Sequence, residues 1–261
     1  MKKILSYTAL LAAGMMTIIA CEKQADKTAT FTSASDMAFV NVIHASPNFR
    51  QVFNAPDSIN VFINNNKVNG ALITYGGTFP TPATSLSGYI ALAPGLQNIK
   101  LTVAGRVTPD SIPLTTLSKI FSKGQKYSLI ITDAIQNARD SSKILLPDVY
   151  TKPNPGSYSL RFVNAVSTDT AGTLVSVFST RRNAHIFNSI AQGGVANFQS
   201  FPYNIQLNDT LYIRRPGSTY NLDTLNNVSF SNQRVYTLIY RGDGRTNVGT
   251  KARALVTYLH E

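Results

Sequence analysis

Apolar and polar residues alternate in short runs along this chain. In residues 59–63, Ile59, Val61 and Ile63 fall on one side and Asn60 and Phe62 on the other. Residues 98–103 repeat the pattern with Ile99, Leu101 and Val103, and residues 127–132 and 255–259 are similar. Successive side chains of a strand point to opposite faces, so period-two alternation predicts half-buried antiparallel strands, with turns at the intervening Gly, Pro, Asn and Asp. Short strands at this spacing predict sandwiches. Composition agrees: Val, Ile, Thr, Tyr, Phe, Asn and Ser abound, and Glu22 and Glu261 are the only glutamates. Such residues suit strands and turns better than helices.

The chain also repeats itself. Phe-Val-Asn-Val-Ile at 39 recurs as Phe-Val-Asn-Ala-Val at 162, Val61-Phe62 as Val177-Phe178, and Gly76-Gly77 as Gly193-Gly194. Residues 121–131 match 230–240 without a gap. Repeats kept in order with small drift predict a duplicated domain rather than a solenoid. Pro153 and Pro155 make a stiff connection between the copies. The expectation is all-β, two tandem immunoglobulin-like antiparallel β-sandwiches over 37–152 and 156–261. Tyr127 and Tyr236 open matching strands. Either a tyrosine-corner-like tie, with the hydroxyl bound to a nearby carbonyl, or an ordinary half-buried ring accounts for them.

Residues 42–48, Val-Ile-His-Ala-Ser-Pro-Asn, lead into Asp57-Ser58-Ile59-Asn60-Val61. Further on come Gly88-Tyr89-Ile90-Ala91-Leu92-Ala93-Pro94-Gly95 and Lys123-Gly124-Gln125-Lys126-Tyr127. Together these resemble an exported bacterial domain family, domain of unknown function 4397, and Pro155-Gly156-Ser157-Tyr158 resembles the opening of a second copy in its two-copy lipoproteins. The resemblance implies a β-sandwich in the cell envelope and no established chemistry. Two departures stand out: Asn48-Phe49-Arg50 follows the proline, and the second copy reads Asn164-Ala165-Val166-Ser167 where the first has His-Ala-Ser-Pro.

The start of the chain has a different character. Lys2 and Lys3 precede an apolar stretch from Ile4 to Ala20, shorter than the roughly 20 apolar residues of a membrane span and built like a secretory signal peptide. It ends Ile18-Ile19-Ala20-Cys21, which resembles the lipobox of bacterial lipoproteins and marks Cys21, the single cysteine, for acylation after cleavage. Two or more acyl chains anchor a protein stably. A free thiol or an intermolecular disulfide is the alternative. Residues 21–36 read as a tether reaching on the order of 20 Å. The membrane, through this anchor, is thus one expected partner.

Net charge is +11. That fits a solvated basic surface, or one leaning on anionic polysaccharide or lipid headgroups. Nucleic acid is not expected, because no binding module is present and the protein is exported. No cofactor or metal is expected either. His44, His185 and His260 are scattered, with no cysteine cluster, phosphate loop or Gly-x-Ser-x-Gly elbow. A glycosidase pair would have to come from aspartates, and Asp133, Asp140 and Asp148 read better as turn residues. His44 and Ser46 share a strand face, as a nucleophile and base would, yet no third group orients the imidazole. Arg241-Gly242-Asp243 has the form of an adhesion tripeptide but is common in turns.

Two patterns remain. Arginine concentrates in the second half, and Arg181, Arg182, Arg214 and Arg215 are candidate anion contacts. A guanidinium grips carboxylate, sulfate or phosphate bidentately where lysine cannot. Drift in residue usage explains the same bias. Aspartate precedes Ser58, Ser111, Thr170, Thr210 and Thr224. Those triplets resemble acceptors for O-glycosylation of exported proteins, and equally the turn before a strand. The reading is a lipid-anchored envelope protein, not an enzyme, that binds a glycan or envelope protein, adheres, or serves as a structural surface module. The rivals are a hydrolase with an Asp/His cleft and a passive stalk.

Overall fold

The computed structural model describes residues 33–47, 58–81, 88–102, 113–132, 143–167, 173–204 and 208–260. In the first half they form β1 (Ala38–His44), β2 (Ser58–Ile63), β3 (Asn66–Lys67), β4 (Ile73–Thr74), β5 (Thr78–Phe79), β6 (Ile90–Leu92), β7 (Gly95–Thr102), β8 (Pro113–Phe121), β9 (Lys126–Ile131) and β10 (Lys143–Pro147). The second half forms β11 (Ser157–Asn164), β12 (Leu174–Ser179), β13 (Ala184–Ala191), β14 (Val195–Pro202), β15 (Asp209–Arg214), β16 (Asn221–Val228), β17 (Val235–Arg241) and β18 (Ala254–Leu259). The one helical piece among the described residues is a 3-10 turn at Ala34–Asp36.

These strands make two sandwiches. In the first half β10-β9-β1-β5, with β6 also on β1, faces β3-β2-β7-β8, with β4 also on β2. In the second, β14-β11-β17-β18 faces β13-β12-β15-β16. Each has its own core. Ile59, Val61, Ile63, Ile99 and Leu101 meet Val40, Val42, Leu129 and Ile131. Val175, Val177, Leu211 and Ile213 meet Leu160, Phe162, Leu238 and Tyr240. The inward positions expected in β2 and β7 are therefore the buried ones, Val103 lying outside the described residues. Asn64 and Asn65, with φ of 48° and 67°, supply the two positive-φ positions of a tight β2–β3 hairpin.

Pairing is not wholly antiparallel, as the alternation led one to expect. β1 runs parallel to β9, and β11 parallel to β17. These pairs also set the register of the duplication. Val40 pairs with Tyr127 and Leu160 with Tyr236, so Val40 corresponds to Leu160 and His44 to Asn164. The shared Phe-Val-Asn string is three residues out of structural register. The other matches hold. Gly76 N–H donates to His44 O (2.8 Å) and Gly193 N–H to Asn164 O (2.8 Å). Tyr127 and Tyr236 are buried, and each hydroxyl accepts the backbone N–H five residues upstream, from Ser122 and Ser231, at 2.9 Å. The tie runs to an amide rather than a carbonyl.

The strands were expected to be half-buried, yet β1, β9, β11 and β17 bury both faces. A third cluster joins Ile43, Ala45 and Ile130 to Val163, Ala165 and Ile239, flanked by Ile144, Leu146, Val195, Val256 and Tyr258. The two central sheets therefore pack back to back, which produces four layers. Burying a side chain of this size contributes about 1.5–3 kcal/mol.

Candidate functional site

Between the central sheets lies a closed polar network. Asp148 follows the end of β10, Ser128 lies on β9 and Tyr89 precedes β6; Arg161, Thr237 and His260 come from β11, β17 and the end of β18. Arg161 Nη2 donates to Asp148 Oδ1 at 2.6 Å. Tyr89 O–H donates to Asp148 Oδ2 at 2.9 Å, and Ser128 Oγ reaches both carboxylate oxygens. His260 Nδ1 is 2.8 Å from Tyr89 Oη, and Nε2 is 2.6 Å from Thr237 Oγ1. Arg161 Nε donates to Thr237 Oγ1 at 3.1 Å, and Nη1 to Pro147 O at 3.2 Å. The guanidinium also covers the Phe198 ring at 4.5 Å.

One assignment of protons satisfies the whole ring. Tyr89 gives its proton to Asp148, so His260 Nδ1 must donate to Tyr89 Oη, which leaves Nε2 to accept from Thr237. That requires a neutral imidazole. Burial pushes the His260 pKa down to about 4; Asp148 opposes the shift, and Arg161 and Lys126 reinforce it. Burial, followed by Asp148, raises the Tyr89 hydroxyl well above its usual range. Asp148 and His260 Nδ1 are 3.9 Å apart, with side chains 0% and 2% exposed. Thus the structure does bring an Asp and a His together, which the chain order gave no reason to expect. Asp133 and Asp140 lie outside the described residues. A cleft of about 390 Å³ opens beside the network, lined by Pro147, Val149, Arg161, Asn197 and Phe198 among others.

His44 and Ser46 are each 0% exposed. The His44 backbone grips the Gly76-Gly77 turn, and its ring stands edge-on to Tyr75 at 6.4 Å. Both positions are packing sites that a substrate cannot reach. Arg241 lies over Tyr75 at 4.6 Å, and a Cβ on Gly76 would come within 2.7 Å of Arg241 Nη1 and displace the end of that side chain; it is the φ of 85° that calls for glycine there. Asp243 is buried, and its carboxylate accepts the Arg245 backbone N–H, Nε and Nη2. The Arg-Gly-Asp tripeptide is folded into the turn rather than displayed.

The four candidate arginines do not converge. Arg181 and Arg182 sit in the β12–β13 turn, where the Arg181 N–H reaches Asp209 at 3.1 Å and Arg182 covers the Phe201 ring at 5.0 Å. Arg214 and Arg215 lie at the other end of β15, beyond Thr210, which bonds Thr180 beside that turn. Four residues of strand put about 13 Å between the pairs. Among the candidate acceptors, Ser58 is 5% exposed and pairs across the sheet with Thr74. A bulky sugar does not fit there, so Ser58 fails the exposure its role requires. Thr210 and Thr224 are half-buried. Two of the aspartates have structural duties: Asp209 accepts from Ser179 and Thr180, and Asp223 from Leu255 N–H. Cys21, Ser111 and Thr170 lie outside the described residues.

The family model described as Domain of unknown function (DUF4397) matches residues 38–174, spanning the first sandwich and continuing through β11. The chain belongs to this family. No curated protein sequence matches it. Solved structures similar to the chain include the TIE protein of Bacillus anthracis, at 11% identity and a TM-score of 0.23 over 80% of this chain and 34% of that one. The chain thus spans about a third of the length of that protein. A candidate adhesin from Bacteroides ovatus is 9% identical, with a TM-score of 0.20 over 84% of this chain and 95% of that one. A candidate cell adhesion protein from Bacteroides uniformis is 9% identical, with a TM-score of 0.23 over 87% and 99%. At such TM-scores the similarity carries no functional weight.

Proposed function

We infer that this chain is a lipid-anchored cell-envelope protein whose two sandwiches act as a non-catalytic binding or adhesion module. The observation that carries the reading is the closure of the Asp148–His260 network. A hydrolase built on an Asp/His pair needs an imidazole with a free lone pair and a carboxylate that orients it. Here Thr237 takes one ring nitrogen, Tyr89 the other, and Asp148 is consumed by Arg161, Tyr89 and Ser128. Both side chains are almost fully buried, at 0% and 2% exposed, and the neighbouring cleft is lined by Arg161 rather than by either of them. The network holds two domains together, and the outer sheet faces remain for recognition.

Acylation of Cys21 and the tether to residue 36 place those faces off a membrane, with a glycan or an envelope protein as partner. Among the described residues no helix is long and apolar enough to cross a membrane, which says nothing of a β-barrel. O-glycosylation at Ser111, Thr170, Thr210 and Thr224 belongs to the same exported setting, and intact mass from the native host reads it. The deciding experiment is a glycan-array screen of the chain at two salt concentrations, because charge attraction is screened by salt. Ester and glycoside turnover is assayed in parallel. Ligand capture without turnover supports the reading; turnover abolished by His260→Ala overturns it. Cys21→Ala should release the protein from membranes or leave it unprocessed.

A further inference from the structure

The outermost sheet of the second sandwich carries chemistry that the domain seam does not use. Cross-strand pairing lays one row of side chains over its strands: His185 opposite Phe178, Phe178 opposite Tyr212, and Tyr212 opposite Thr224. The next row sets Ser176 opposite Arg214 and Arg214 opposite Asn221. Their chain neighbours Val177, Leu211 and Ile213 belong to the core, so these rows face outward. The seam packs the other sheet of this sandwich, leaving the outer face uncovered by the chain's own central layers.

Arg214 is held in place on this face. Its guanidinium carbon lies 4.4 Å from the Phe178 ring centroid and 4.8 Å from that of Tyr212. Those two rings are parallel within 11°, with centroids 6.5 Å apart, and His185 stands edge-on to Phe178 at 5.2 Å. Arg214 Nε donates to Asn221 Oδ1 at 2.7 Å. Among the described residues no carboxylate pairs with Arg214, and its terminal nitrogens have no hydrogen-bond partner. A free arginine side chain carries about 2 kcal/mol of rotamer entropy. Here stacking and Asn221 have already fixed the fork before any ligand arrives, and Arg215 beside it is exposed.

The duplication offers an internal comparison. Phe62 on β2 corresponds to Phe178, and Lys100 Nζ sits over its ring at 4.5 Å from the facing strand β7. Both copies place a cation over this phenylalanine. Among the described residues only the second adds a parallel ring and a guanidinium, which can make two parallel N–H bonds to an oxyanion in a fixed fork where an ammonium is a point charge.

We propose that the outer face of β12 and β15 binds an acidic polysaccharide, with Arg214 gripping a sugar carboxylate and the Phe178–Tyr212 pair as the apolar floor beside it. The inference rests on the binding reading above and assigns it a site and a ligand class. The excess of positive charge selects an anion, and the planar fork selects a carboxylate or similar oxyanion over a diffuse charge. Thr224, Asn221 and Ser218 offer hydroxyl and amide partners to a hydroxyl-rich chain rather than to a lipid surface. Thr224 closes the row, so a sugar attached to it would occupy the same face and compete.

The test measures binding of the whole chain to oligogalacturonate, to a neutral galactan oligomer of equal length, and to phosphatidylglycerol vesicles, at two salt concentrations. Oligogalacturonate should bind and the other two should not. Arg214→Ala should weaken binding about tenfold or more, the expected loss for a charge-assisted hydrogen-bonding pair. Arg214→Lys should recover little of that loss, and the paired change Arg181→Ala with Arg182→Ala should leave binding unchanged, each variant being compared at a temperature where it is fully folded. Equal binding of the neutral oligomer, binding to vesicles alone, or an unaffected Arg214→Ala variant would overturn the site. Oligogalacturonate binding that survives Arg214→Ala would leave the general binding reading standing, whereas silence across the glycan array would count against that reading instead.

Discussion

Arg161 Nη2 and Asp148 Oδ1 form a 2.6 Å ion pair across the seam of the two sandwiches, with side chains 3% and 0% exposed. Burial decides how such a pair behaves. Desolvation cancels much of its attraction, so its presence adds little net stability, but removing one partner strands the other charge in an apolar interior. Asp148→Asn should therefore cost about 3–5 kcal/mol in urea unfolding. Replacing both residues by leucine and methionine should recover only part of that loss, because Ser128 and Tyr89 would then lack their acceptor. A loss below about 1 kcal/mol for the single change, the range of exposed pairs, would show that water reaches the seam.

The same network makes the protein sensitive to mild acid. His260 has a folded pKa of about 4 against an ordinary 6.5. Above pH 6.5 the ring is neutral in both states and contributes no slope. Between 6.5 and 4 the unfolded chain takes up a proton that the native ring refuses, so stability falls as pH falls. Below 4 both states are protonated and the loss levels off. At ~1.4 kcal/mol per pKa unit the total is on the order of 3 kcal/mol. Burial dominates the groups facing the ring: Asp148 favours its protonation but more weakly than burial opposes it, Arg161 and Lys126 add to the opposition, and Tyr89 and Thr237 already occupy both nitrogens. Chemical unfolding between pH 5 and 7 should show the slope, and His260→Gln should flatten it whatever its own stability. A slope that survives the substitution assigns the effect to other groups.

How much of this was legible depended on which face of a strand was in question. Ile59, Val61, Ile99 and Leu101 alternate cleanly and are core, and the equivalence of Tyr127 with Tyr236 extends to the same amide contact. The seam was hidden because its residues occupy the opposite parity: Ile43, Ile130, Val163 and Ile239. A signal did exist. Val42-Ile43, Leu129-Ile130-Ile131 and Phe162-Val163 are unbroken apolar runs, which mark strands covered on both faces. Parallel pairing of β1 with β9 follows from sheet order, which local pattern does not encode. The Asp148–His260 neighbourhood needed the seam first, because only packing of one sandwich on the other brings them together. Arg214 was picked out by residue type alone, but its floor of Phe178 and Tyr212 depends on cross-strand register between β12 and β15.

The seam also determines how residues 156–261 should behave alone. Their core is complete in itself, with Leu160, Phe162, Val177, Ile213 and Leu238 fully buried among one another. The fragment should therefore unfold cooperatively with a β-type circular dichroism spectrum. It loses, however, the cover over Val163, Ala165 and Ile239, and leaves Arg161 without Asp148. Each large apolar side chain so exposed forfeits about 1.5–3 kcal/mol, and the bared face is a contiguous patch of the kind that drives association. The fragment should melt below the full chain and sediment as a concentration-dependent oligomer. Ile239→Lys should restore a monomer, because a charge at the centre of the patch opposes self-pairing while pointing away from the fragment's own core. A monomeric fragment as stable as the full chain would mean that the back-to-back packing contributes nothing in solution, and the ion pair and acid sensitivity argued above would fall with it.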